Sequence, residues 1–488
     1  MNRAKCLRCC SSSTRFQIPA RIPPFSRLFS DQKRHAQAPK PIIDIKHIRQ
    51  NPALYAQNCI DRNYTRQATH PQSIIDLHTE WQNLQTSAKA LRTRANLLGK
   101  GLASKSPSDI PELAGLSRDA LQDEAKAIKA QLATISPSET AALAEIEALA
   151  LELPNITSPD TPLGKDHEVL SYINEAPAAS ASTKSHVDIG TQLGILDFAA
   201  AAHTSGWGWY YLVGAAAQLE QALVQYALTS AKRHGWTQVS PPSMVYSHIG
   251  SACGFQPRDQ HGEQQVYAVA QAAEDVARGV PAHVLAGTSE IPLAGMKANT
   301  ELQMGEMPLK RVAVSRCYRA EAGARGASTK GLYRVHEFTK VEMFAWTEPH
   351  DEDVFEEMLD IQTEIIESLG LHARILAMPA SDLGASAARK VDMEAWFPSR
   401  AASMGDGWGE VSSASMCTDY QARRLATRLR YKGDLGFPWT VNGTALAVPR
   451  VLAALLEAGW DENSGTVAIP ECLRPWMDGM DKIGPNLN

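Results

Sequence analysis

Residues 315–344 have the sequence SRCYRAEAGARGASTKGLYRVHEFTKVEMF. Arg319 and Glu321 lie two residues apart, so on an extended strand both side chains would project from the same face. A glycine-rich loop follows. The return run Tyr333–Phe344 is rich in β-branched and aromatic residues, which predicts a second, antiparallel strand. The stretch therefore predicts a β-hairpin with charged residues concentrated on one surface.

Arg334 and Glu342 lie eight residues apart on the predicted return strand and would share its face. Charges of both signs are costly to bury unless they are paired. Two interpretations are therefore open from these residues alone. One is a solvated hairpin held by surface salt bridges, and the other is a site that binds a charged ligand.

The order of residues in this hairpin resembles motif 2 of class II aminoacyl-tRNA synthetases, in the form found in seryl-tRNA synthetases. Residues 410–424, EVSSASMCTDYQARR, resemble the strand that follows in that family. Residues 442–450, NGTALAVPR, resemble motif 3, a strand-to-helix turn that ends in arginine. With Thr288-Ser289-Glu290 upstream, several matches occur in chain order, which is far more specific than one glycine-rich motif.

The resemblance covers roughly residues 42–480 and implies an α+β fold. We expect an antiparallel sheet of about six to eight strands flanked by helices, with an N-terminal antiparallel coiled-coil arm. The chain length of 488 residues predicts two or three domains. The expected division is a cleaved presequence at 1–38, an arm domain at 40–155, a linker at 156–185 and a catalytic domain at 186–482.

Two apolar seams at heptad spacing predict the arm. The first contains Leu77, Trp81, Leu84, Ala88, Leu91, Ala95, Leu98 and Leu102, and the second Leu121, Ile128, Leu132, Ile135, Leu143, Ile146 and Leu153. A proline-rich break at 106–111 separates them, which predicts an antiparallel helical hairpin. Ser136-Pro137, with Glu139 three residues after the serine, predicts a kink or a restart of the second helix.

Cationic residues along the first helix predict a phosphate-binding stripe. They are Lys89, Arg92, Arg94, Lys100 and Lys105. Taken alone, a heptad hairpin is better explained by dimerisation or by plain structural packing. The resemblance favours tRNA contact, because seryl-tRNA synthetases grip the long variable arm of tRNA(Ser) with a coiled coil at this place.

The first thirty residues contain six basic residues, many serines and no acidic residue. This composition is typical of a mitochondrial transit peptide and predicts location in the mitochondrial matrix; a disordered basic tail is the alternative. The sequence contains no run of eighteen apolar residues, so no membrane span is predicted. The eight cysteines are predicted to be reduced thiols, and neither a disulfide framework nor a zinc site is indicated.

An amphipathic helix is predicted at 212–234, followed by a strand that ends at Pro241-Pro242. These elements resemble motif 1, through which class II synthetases form homodimers, with Pro242 as the motif proline. A surface helix and strand without a partner is the alternative.

The resemblance implies a reaction in two steps. ATP and serine give seryl-adenylate with Mg²⁺ present, and the seryl group then passes to tRNA(Ser). The resemblance implies a set of ATP-binding residues: Arg319, Ala320, Glu321, Arg334, Val335, Glu410, Val411, Ser412, Ser413 and Arg450. Of these, Glu410 and Ser413 would hold the metal. The resemblance also assigns serine to Thr288, Ser289, Glu290, Arg319, Glu342 and Thr444, and it assigns catalysis to Arg319, Glu342 and Arg450.

The sequence departs from the family pattern at two places, one in the glycine-rich loop and one in the predicted strand within residues 410–424. Residues 326–330, GASTK, lack the first arginine and the aspartate of the usual G-R-D-T-R loop. Met416 stands where asparagine is common. In the family this loop contacts the acceptor end of tRNA, so we expect altered contacts in the transfer step. The residues assigned to ATP and serine are all present, which predicts an active enzyme.

Two rival functions remain at this stage. A silent paralogue that binds tRNA without catalysis would be expected to lack Arg319, Glu342 or Arg450, and all three are present. An enzyme that loads a carrier protein or another amino acid would be expected to lack the arm, and the arm pattern is present.

Overall fold

The computed structural model describes residues 38–104, 110–177, 182–255, 265–320 and 331–485. Its helices are α1 Ile45–Gln50, α2 Pro52–Asp61, α3 His70–Ala103, α4 Arg118–Glu152, α5 His186–Gln192, α6 Phe198–Thr204, α7 Ala215–Arg233, α8 Ser247–Ala252, α9 Ala273–Ala277, α10 Glu290–Gly295, α11 Asp353–Ser368, α12 Pro398–Met404, α13 Tyr420–Leu425 and α14 Val448–Ala458. Its strands are β1 Glu168–Ile173, β2 Leu196–Asp197, β3 Tyr211–Leu212, β4 Thr237–Val239, β5 Met244–Tyr246, β6 His283–Leu285, β7 Glu301–Gln303, β8 Leu309–Tyr318, β9 Glu337–Thr347, β10 Ala373–Ala377, β11 Arg389–Trp396, β12 Trp408–Thr418, β13 Arg428–Tyr431, β14 Asp434–Gly436, β15 Trp439–Ala447, β16 Trp460–Asp461, β17 Thr466–Ala468 and β18 Lys482–Ile483.

The arm is a helical hairpin of α3 and α4, as the heptad seams predict. Its apolar seam buries Leu98 of α3 with Leu121 and Ile128 of α4. Ser117 caps the start of α4 by accepting a hydrogen bond from the backbone N–H of Ala120. This cap supplies one of the partners that the first turn of a helix lacks.

The prediction of a restart near Ser136 is wrong, because α4 runs without interruption through Pro137. Glu139 does not complete a cap; its carboxylate crosses to Arg92 of α3, with Nη2 and Oε2 2.6 Å apart. Leu143 is also misplaced in the predicted seam: it is 46% exposed, and Ala142 is buried instead. Packing on both sides of the proline thus keeps the helix continuous, although proline removes one backbone hydrogen bond.

The part of the chain after the arm is built on one eight-stranded sheet in the order β1-β10-β11-β12-β15-β9-β8-β4. Neighbouring strands are antiparallel except β4, which pairs parallel with β8. This architecture confirms the predicted α+β class and antiparallel sheet. The predicted linker at 156–185 contains β1, which pairs with β10 at the edge of the sheet. That segment therefore belongs partly to the catalytic fold.

The predicted hairpin is present as β8 and β9, paired from Leu309 with Trp346 to Tyr318 with Glu337. The return strand begins at Glu337 and not at Tyr333. Residues 331–333 form a 3-10 turn instead. Arg334 therefore lies before the strand, and the prediction that it shares a strand face with Glu342 is wrong.

Side chains of β9 alternate between two environments, as the two-residue period of a strand requires. Val341, Met343 and Ala345 pack in the main core with α7, α11 and α14. On the opposite face, Phe344 and Trp346 pack in a second core with α10. Because Lys340 and Glu342 lie on that opposite face, they are directed away from the helical core. Helix α7, predicted at 212–234, is one of the covering helices.

The arm is joined to the catalytic domain by buried hydrogen bonds. Nδ2 of Asn155 donates to the carbonyl oxygens of Ser386 and Cys417, at 2.8 Å each. Arg62, fully buried, donates to the carbonyl of Asn155 at 2.7 Å. Arg424 of α13 donates to the carbonyl of Leu153 just beyond the end of α4. The base of the arm is therefore bound directly to catalytic-domain segments.

Within the described ranges, no helix has both the length and the apolar character needed to cross a bilayer.

Candidate active site

The turn before β9, the strands β9, β12 and β15 and the start of α14 surround an open cavity. Its lining residues are Arg319, Tyr333, Arg334, Val335, Phe338, Lys340, Glu410, Val411, Ser412, Ser413, Thr444, Ala447, Pro449 and Arg450. The cavity therefore brings together residues that the sequence places in three separate motifs.

A buried polar cluster adjoins the cavity; Lys340 and Thr444 of this cluster line the cavity, and Thr288 and Glu342 lie behind them. Nζ of Lys340 lies 2.5 Å from Oε2 of Glu342 and donates to the hydroxyl of Thr288 at 3.1 Å. Glu342 and Thr444 are paired across β9 and β15. All four residues are buried. The pairing brings Thr444 beside Glu342, as expected if both contact one small ligand.

Glu290 is the second buried carboxylate near this cluster, and it is likewise not among the residues that line the cavity. Its Oε1 accepts a hydrogen bond from Gln421 at 2.6 Å, and its Oε2 accepts one from Asn442 at 3.4 Å. Burial, followed by the nearby charge of Glu342, raises the pKa of Glu290 to about 8. The carboxyl group is thus poised to bind a cation by releasing a proton.

Two arginines, Arg319 and Arg450, also line the cavity. Nη1 of Arg450 lies 3.1 Å from Oε2 of Glu410 and donates to the carbonyl oxygen of Glu410. Burial alone would raise the pKa of Glu410, but Arg450, Lys390 and Arg319 outweigh it and lower the pKa to about 2. Glu410 is therefore ionised at any physiological pH.

Arg319 directly follows β8 and lies beside an aromatic ring. Its guanidinium carbon is 5.3 Å from the centre of the Phe338 ring, within the range of a cation–π contact. Its backbone N–H donates to the carbonyl of His336 at 2.9 Å, which anchors the end of β8 to the start of β9. Arg319 and Phe338 thus face the cavity from neighbouring strands.

Ser412 and Ser413 lie on β12 next to β15. Ser412 donates to the carbonyl oxygen of Thr444 at 2.5 Å, and the two hydroxyl oxygens of Ser413 and Thr444 are 3.5 Å apart. Gln362 of α11 donates to the carbonyl oxygens of Ser413 and Thr444 from behind the sheet. These bonds hold the two strands in register at the cavity wall.

Some predicted site residues lie beside the cavity or outside the described residues. The hydroxyl oxygen of Ser289 lies 2.5 Å from that of Ser315, so this side chain is engaged within the fold. The backbone N–H of Ala320 donates to the carbonyl of Gln265. Glu321 and the loop at 321–330 fall outside the described residues, as does Lys105 of the arm.

Several cavity residues were not singled out from the sequence. Phe338 and Lys340 project into the cavity from β9, and Tyr333 is stacked by Arg450 at 4.8 Å and by Arg400 at 4.4 Å. Phe338 and Lys340 share the two-residue period of Glu342, so strand alternation could have identified them. Nothing in the local sequence around Arg400 indicates its contact with Tyr333.

The arm cations divide into two groups. Lys89 and Lys100 are exposed on α3. Arg92 and Arg94, which the sequence placed on the outer face, are instead directed to carboxylates of α4, at Glu139 and Glu124. These two arginines therefore hold the hairpin together, and the lysines remain open to solvent.

No cluster of three or more histidine, cysteine, aspartate or glutamate side chains within the described ranges is arranged to hold a metal ion.

Comparison with known proteins gives the family. The model of the seryl-tRNA synthetase N-terminal domain matches residues 42–157, and that of the tRNA synthetase class II core domain (G, H, P, S and T) matches residues 279–459. The mitochondrial serine–tRNA ligase of Saccharomyces cerevisiae is 39% identical over 94% of this chain and 99% of the relative. The serine–tRNA ligase of Rhodopirellula baltica is 36% identical over 89% of this chain and 98% of the relative.

A solved structure agrees with the sequence relatives. The seryl-tRNA synthetase of Pyrococcus horikoshii, complexed with ATP, superposes with a TM-score of 0.79 at 32% identity, covering 91% of this chain and all of that one. The match extends over the arm as well as the catalytic sheet. With its arm, its class II sheet and its three motifs around one cavity, this chain belongs to the seryl-tRNA synthetase family.

Proposed function

We propose that this seryl-tRNA synthetase activates L-serine with ATP in the cavity described above and transfers the seryl group to tRNA(Ser) in the mitochondrial matrix. The observation that carries the proposal is the arrangement of charge in and behind that cavity. Arg319, Arg450 and Lys340 line it. Behind this wall the buried Glu342 pairs with Lys340, and the buried Glu290 lies near Glu342. An amino acid beside a nucleotide presents an ammonium group and anionic oxygens in a matching arrangement.

In the first step, the serine carboxylate attacks the α-phosphorus of ATP and pyrophosphate leaves. The chain's part is to hold the reactants in line and to stabilise the charge on the phosphoryl oxygens. Arg319 bridges the α-phosphate and the serine carboxylate, and Arg450 contacts the γ-phosphate. Arginine suits both roles because its planar fork stays charged and binds oxyanions through two hydrogen bonds.

The adenine base is proposed to lie against Val335 and the ring of Phe338. Glu321 accepts from its amino group, and Arg334 lies near the phosphates. A base stacked between an apolar wall and an aromatic ring is held by a large contact area at little conformational cost.

Serine recognition is proposed to rest on the buried cluster. Thr288 and Glu290 bind the ammonium group, Glu342 binds the ammonium group and the hydroxyl, and Thr444 binds the hydroxyl. An analogue without the hydroxyl would leave polar groups unpaired, which in well-built sites costs on the order of 10⁴-fold in specificity. The enzyme is therefore expected to reject alanine.

The residues around Glu410 fit a magnesium ion that arrives with ATP. Glu410 is ionised, and Ser413 supplies a second oxygen on the same strand. Magnesium is commonly held by one or two carboxylates together with substrate phosphates. When bound, it would neutralise part of the phosphate charge and assist the departure of pyrophosphate.

In the second step, a hydroxyl of the terminal adenosine of the tRNA attacks the seryl carbonyl. The exposed lysines of α3 are proposed to contact the tRNA, with Lys105 continuing the stripe and Arg92 and Arg94 supporting the helix that carries it. The loop at 321–330 is proposed to contact the acceptor end. The functional unit is proposed to be a homodimer that pairs through α7, β4 and Pro242.

Location in the mitochondrial matrix is proposed from the basic presequence at 1–38. Mitochondrial serine–tRNA ligases of Schizosaccharomyces pombe and mouse are among the relatives, at 39% and 34% identity. Expression of the full chain fused to a fluorescent protein, compared with the chain lacking residues 1–37, tests this. Loss of mitochondrial signal in the shorter form is expected, and an unchanged distribution would reject the presequence.

A pair of assays tests the reaction. Serine-dependent exchange of pyrophosphate into ATP reports the first step, and charging of mitochondrial tRNA(Ser) reports both steps. Exchange with charging is expected. Exchange without charging would point instead to loading of a carrier, and absence of exchange from folded protein would reject the proposed activity.

A further inference from the structure

A buried histidine lies directly behind the wall of the ATP cavity. Nδ1 of His186 is 2.8 Å from Oε1 of Glu457, and both residues are almost fully buried. The same carboxylate accepts hydrogen bonds from the backbone N–H of His186 and from the hydroxyl of Ser399. Because Leu332 donates to Nε2, the ring proton lies on Nδ1, and Nδ1–H donates a hydrogen bond to Oε1 of Glu457.

The other ring nitrogen of His186 faces the nucleotide site. In a neutral imidazole with the proton on Nδ1, Nε2 is an acceptor. The backbone N–H of Leu332 donates to it at 3.2 Å. Leu332 is the middle residue of the Gly331–Tyr333 turn. A Cβ atom at Gly331 would lie 2.3 Å from Nε2 of His186, so the turn rests directly on the imidazole ring.

The same turn is also tied to Arg450. The carbonyl oxygen of Tyr333 accepts a hydrogen bond from Nε of Arg450 at 3.1 Å, and the guanidinium lies 4.8 Å from the ring centre. Arg450 stands at the start of α14 and Glu457 stands near its end. Along a helix, seven residues span roughly 10 Å. Both ends of helix α14 therefore contact the turn. Arg450 hydrogen-bonds to it directly, and Glu457 holds it through His186.

We propose that His186 is a positioning residue for ATP. By accepting from Leu332 it fixes the path of residues 333–335, which line the ATP cavity, relative to Arg450. The imidazole is not among the residues that line that cavity and lies in the adjoining one. The inference rests on the proposed ATP site, and it predicts that altering His186 weakens ATP binding without weakening serine binding.

Two substitutions separate the two hydrogen bonds. In His186→Asn, the amide nitrogen can replace Nδ1 and donate to Glu457, but no acceptor reaches Leu332. In His186→Gln, the longer side chain can place its carbonyl oxygen near the position of Nε2 and accept from Leu332. His70→Asn is the matched control, because His70 is equally buried at 7% exposure but lies at the base of the arm.

ATP affinity is measured by calorimetry, and KM values for ATP and serine by pyrophosphate exchange. His186→Asn is expected to weaken ATP binding and raise the KM for ATP by roughly tenfold, the effect of one lost hydrogen bond. His186→Gln is expected to stay within roughly threefold of the unaltered chain. The KM for serine is expected to stay unchanged in both, as are all values in His70→Asn.

Gly331→Ala provides a second test at the turn itself, since its Cβ atom would lie 2.3 Å from Nε2 of His186 and 2.5 Å from Cγ2 of Val187, and the φ of +71° favours glycine. Its Cβ atom would push the turn off the imidazole, so it should weaken ATP binding as His186→Asn does. Unchanged ATP affinity in both His186→Asn and Gly331→Ala would overturn the inference. Parallel loss of ATP and serine binding would also overturn it, since that would indicate general loosening. If the unaltered chain binds ATP but shows no serine-dependent exchange, the proposed activity is rejected. The ATP affinities of the variants, measured by calorimetry, would still test the role of His186.

Discussion

Nε2 of Gln421 lies 2.6 Å from Oε1 of Glu290, and both side chains are buried. The amide donates to the carboxylate and holds it beside Glu342, whose charge is the second cause, after burial, of the raised pKa of Glu290. Lys340 already pairs with Glu342, so Glu290 is the carboxylate that favours a proton until a further cation arrives. The proposed serine pocket therefore exchanges a proton for an ammonium group.

This exchange predicts that serine binds more tightly as pH rises toward 8. The pKa of Glu290 is about 8, so at pH 6.5 the group is mostly protonated, and binding of an ammonium must release that proton. The KM for serine should fall between pH 6.5 and 8, by at most roughly tenfold per pH unit. Glu410, whose pKa is about 2, stays ionised and contributes nothing to this change.

The measurement is the KM for serine in pyrophosphate exchange across that pH range. Glu290→Gln cannot titrate, so its KM should be higher and nearly independent of pH. A KM for serine that does not change with pH in the unaltered chain would show that Glu290 does not receive the ammonium group.

Replacing Arg450 by lysine should impair adenylate formation although the charge is kept. Lysine cannot make the two bonds from Nε and Nη1 to the carbonyls of Tyr333 and Glu410, and it binds phosphate only as a point charge. The kcat/KM for ATP in pyrophosphate exchange should fall by roughly 100-fold, about 2.7 kcal/mol of transition-state stabilisation.

Arg430→Ala serves as the control for that measurement. Arg430 pairs with Glu301 on the small sheet formed by β7, β13 and β14, where both side chains are partly exposed. Exposed pairs contribute little, so exchange should be unaltered. Equal activity of Arg450→Lys and Arg430→Ala would contradict the role given to Arg450.

The exposed lysines of the arm should affect tRNA charging but not serine activation. Lys89 and Lys100 are eleven residues apart, about three helical turns, so they share a face of α3 and lie roughly 16 Å apart. Changing both to alanine should raise the KM for tRNA(Ser) and reduce the slope of log affinity against log salt by about two. Salt-dependent tRNA binding measures this directly.

The comparison variant for the arm is Arg94→Ala, which removes an interhelical pair with Glu124. It should lower the stability of the arm slightly and leave the salt slope unchanged. The tRNA-binding role of the lysines would be refuted by a salt slope that drops in Arg94→Ala but not in the double lysine variant.

Asn155→Ala should destabilise the junction between arm and catalytic domain. It removes the amide nitrogen that donates to the carbonyl oxygens of both Ser386 and Cys417. The expected loss is about 2–4 kcal/mol of unfolding free energy, measured by urea denaturation. Gln57→Ala, which alters an exposed amide of α2 nearby, should change it by less than about 0.5 kcal/mol. Equal stability of the two variants would contradict the account of the junction.

The sequence predicted those parts of the fold that local patterns determine. The β8–β9 hairpin follows from alternation around Glu342, and α3 and α4 follow from their heptad seams. Local pattern failed where distant contacts decide the outcome. Pro137 looked like an interruption, but Arg92 and the seam on both sides keep α4 continuous. Strand β1 lies within the predicted linker. Its residues are mostly exposed and it pairs only at the sheet edge, so its sequence has no alternating apolar pattern that would predict a buried strand.

The same distinction applies to the site. Residues within the three motifs, such as Arg319, Glu410 and Arg450, could be identified from the sequence and do line one cavity. Gln421 and His186 could not, because their roles depend on Glu290 and on Leu332, each more than one hundred residues away. The local sequence around Gln421 or His186 does not indicate which distant residue its side chain contacts.

The most direct test of the central claim is to detect the adenylate itself. The chain lacking residues 1–37 is mixed with α-labelled ATP, magnesium and each amino acid in turn, and the bound labelled product is then chased with mitochondrial tRNA(Ser). Labelled seryl-adenylate that forms with serine alone and is released as AMP while the tRNA becomes charged is the predicted result. An adenylate that forms with another amino acid, or none with serine from folded protein, would contradict the account.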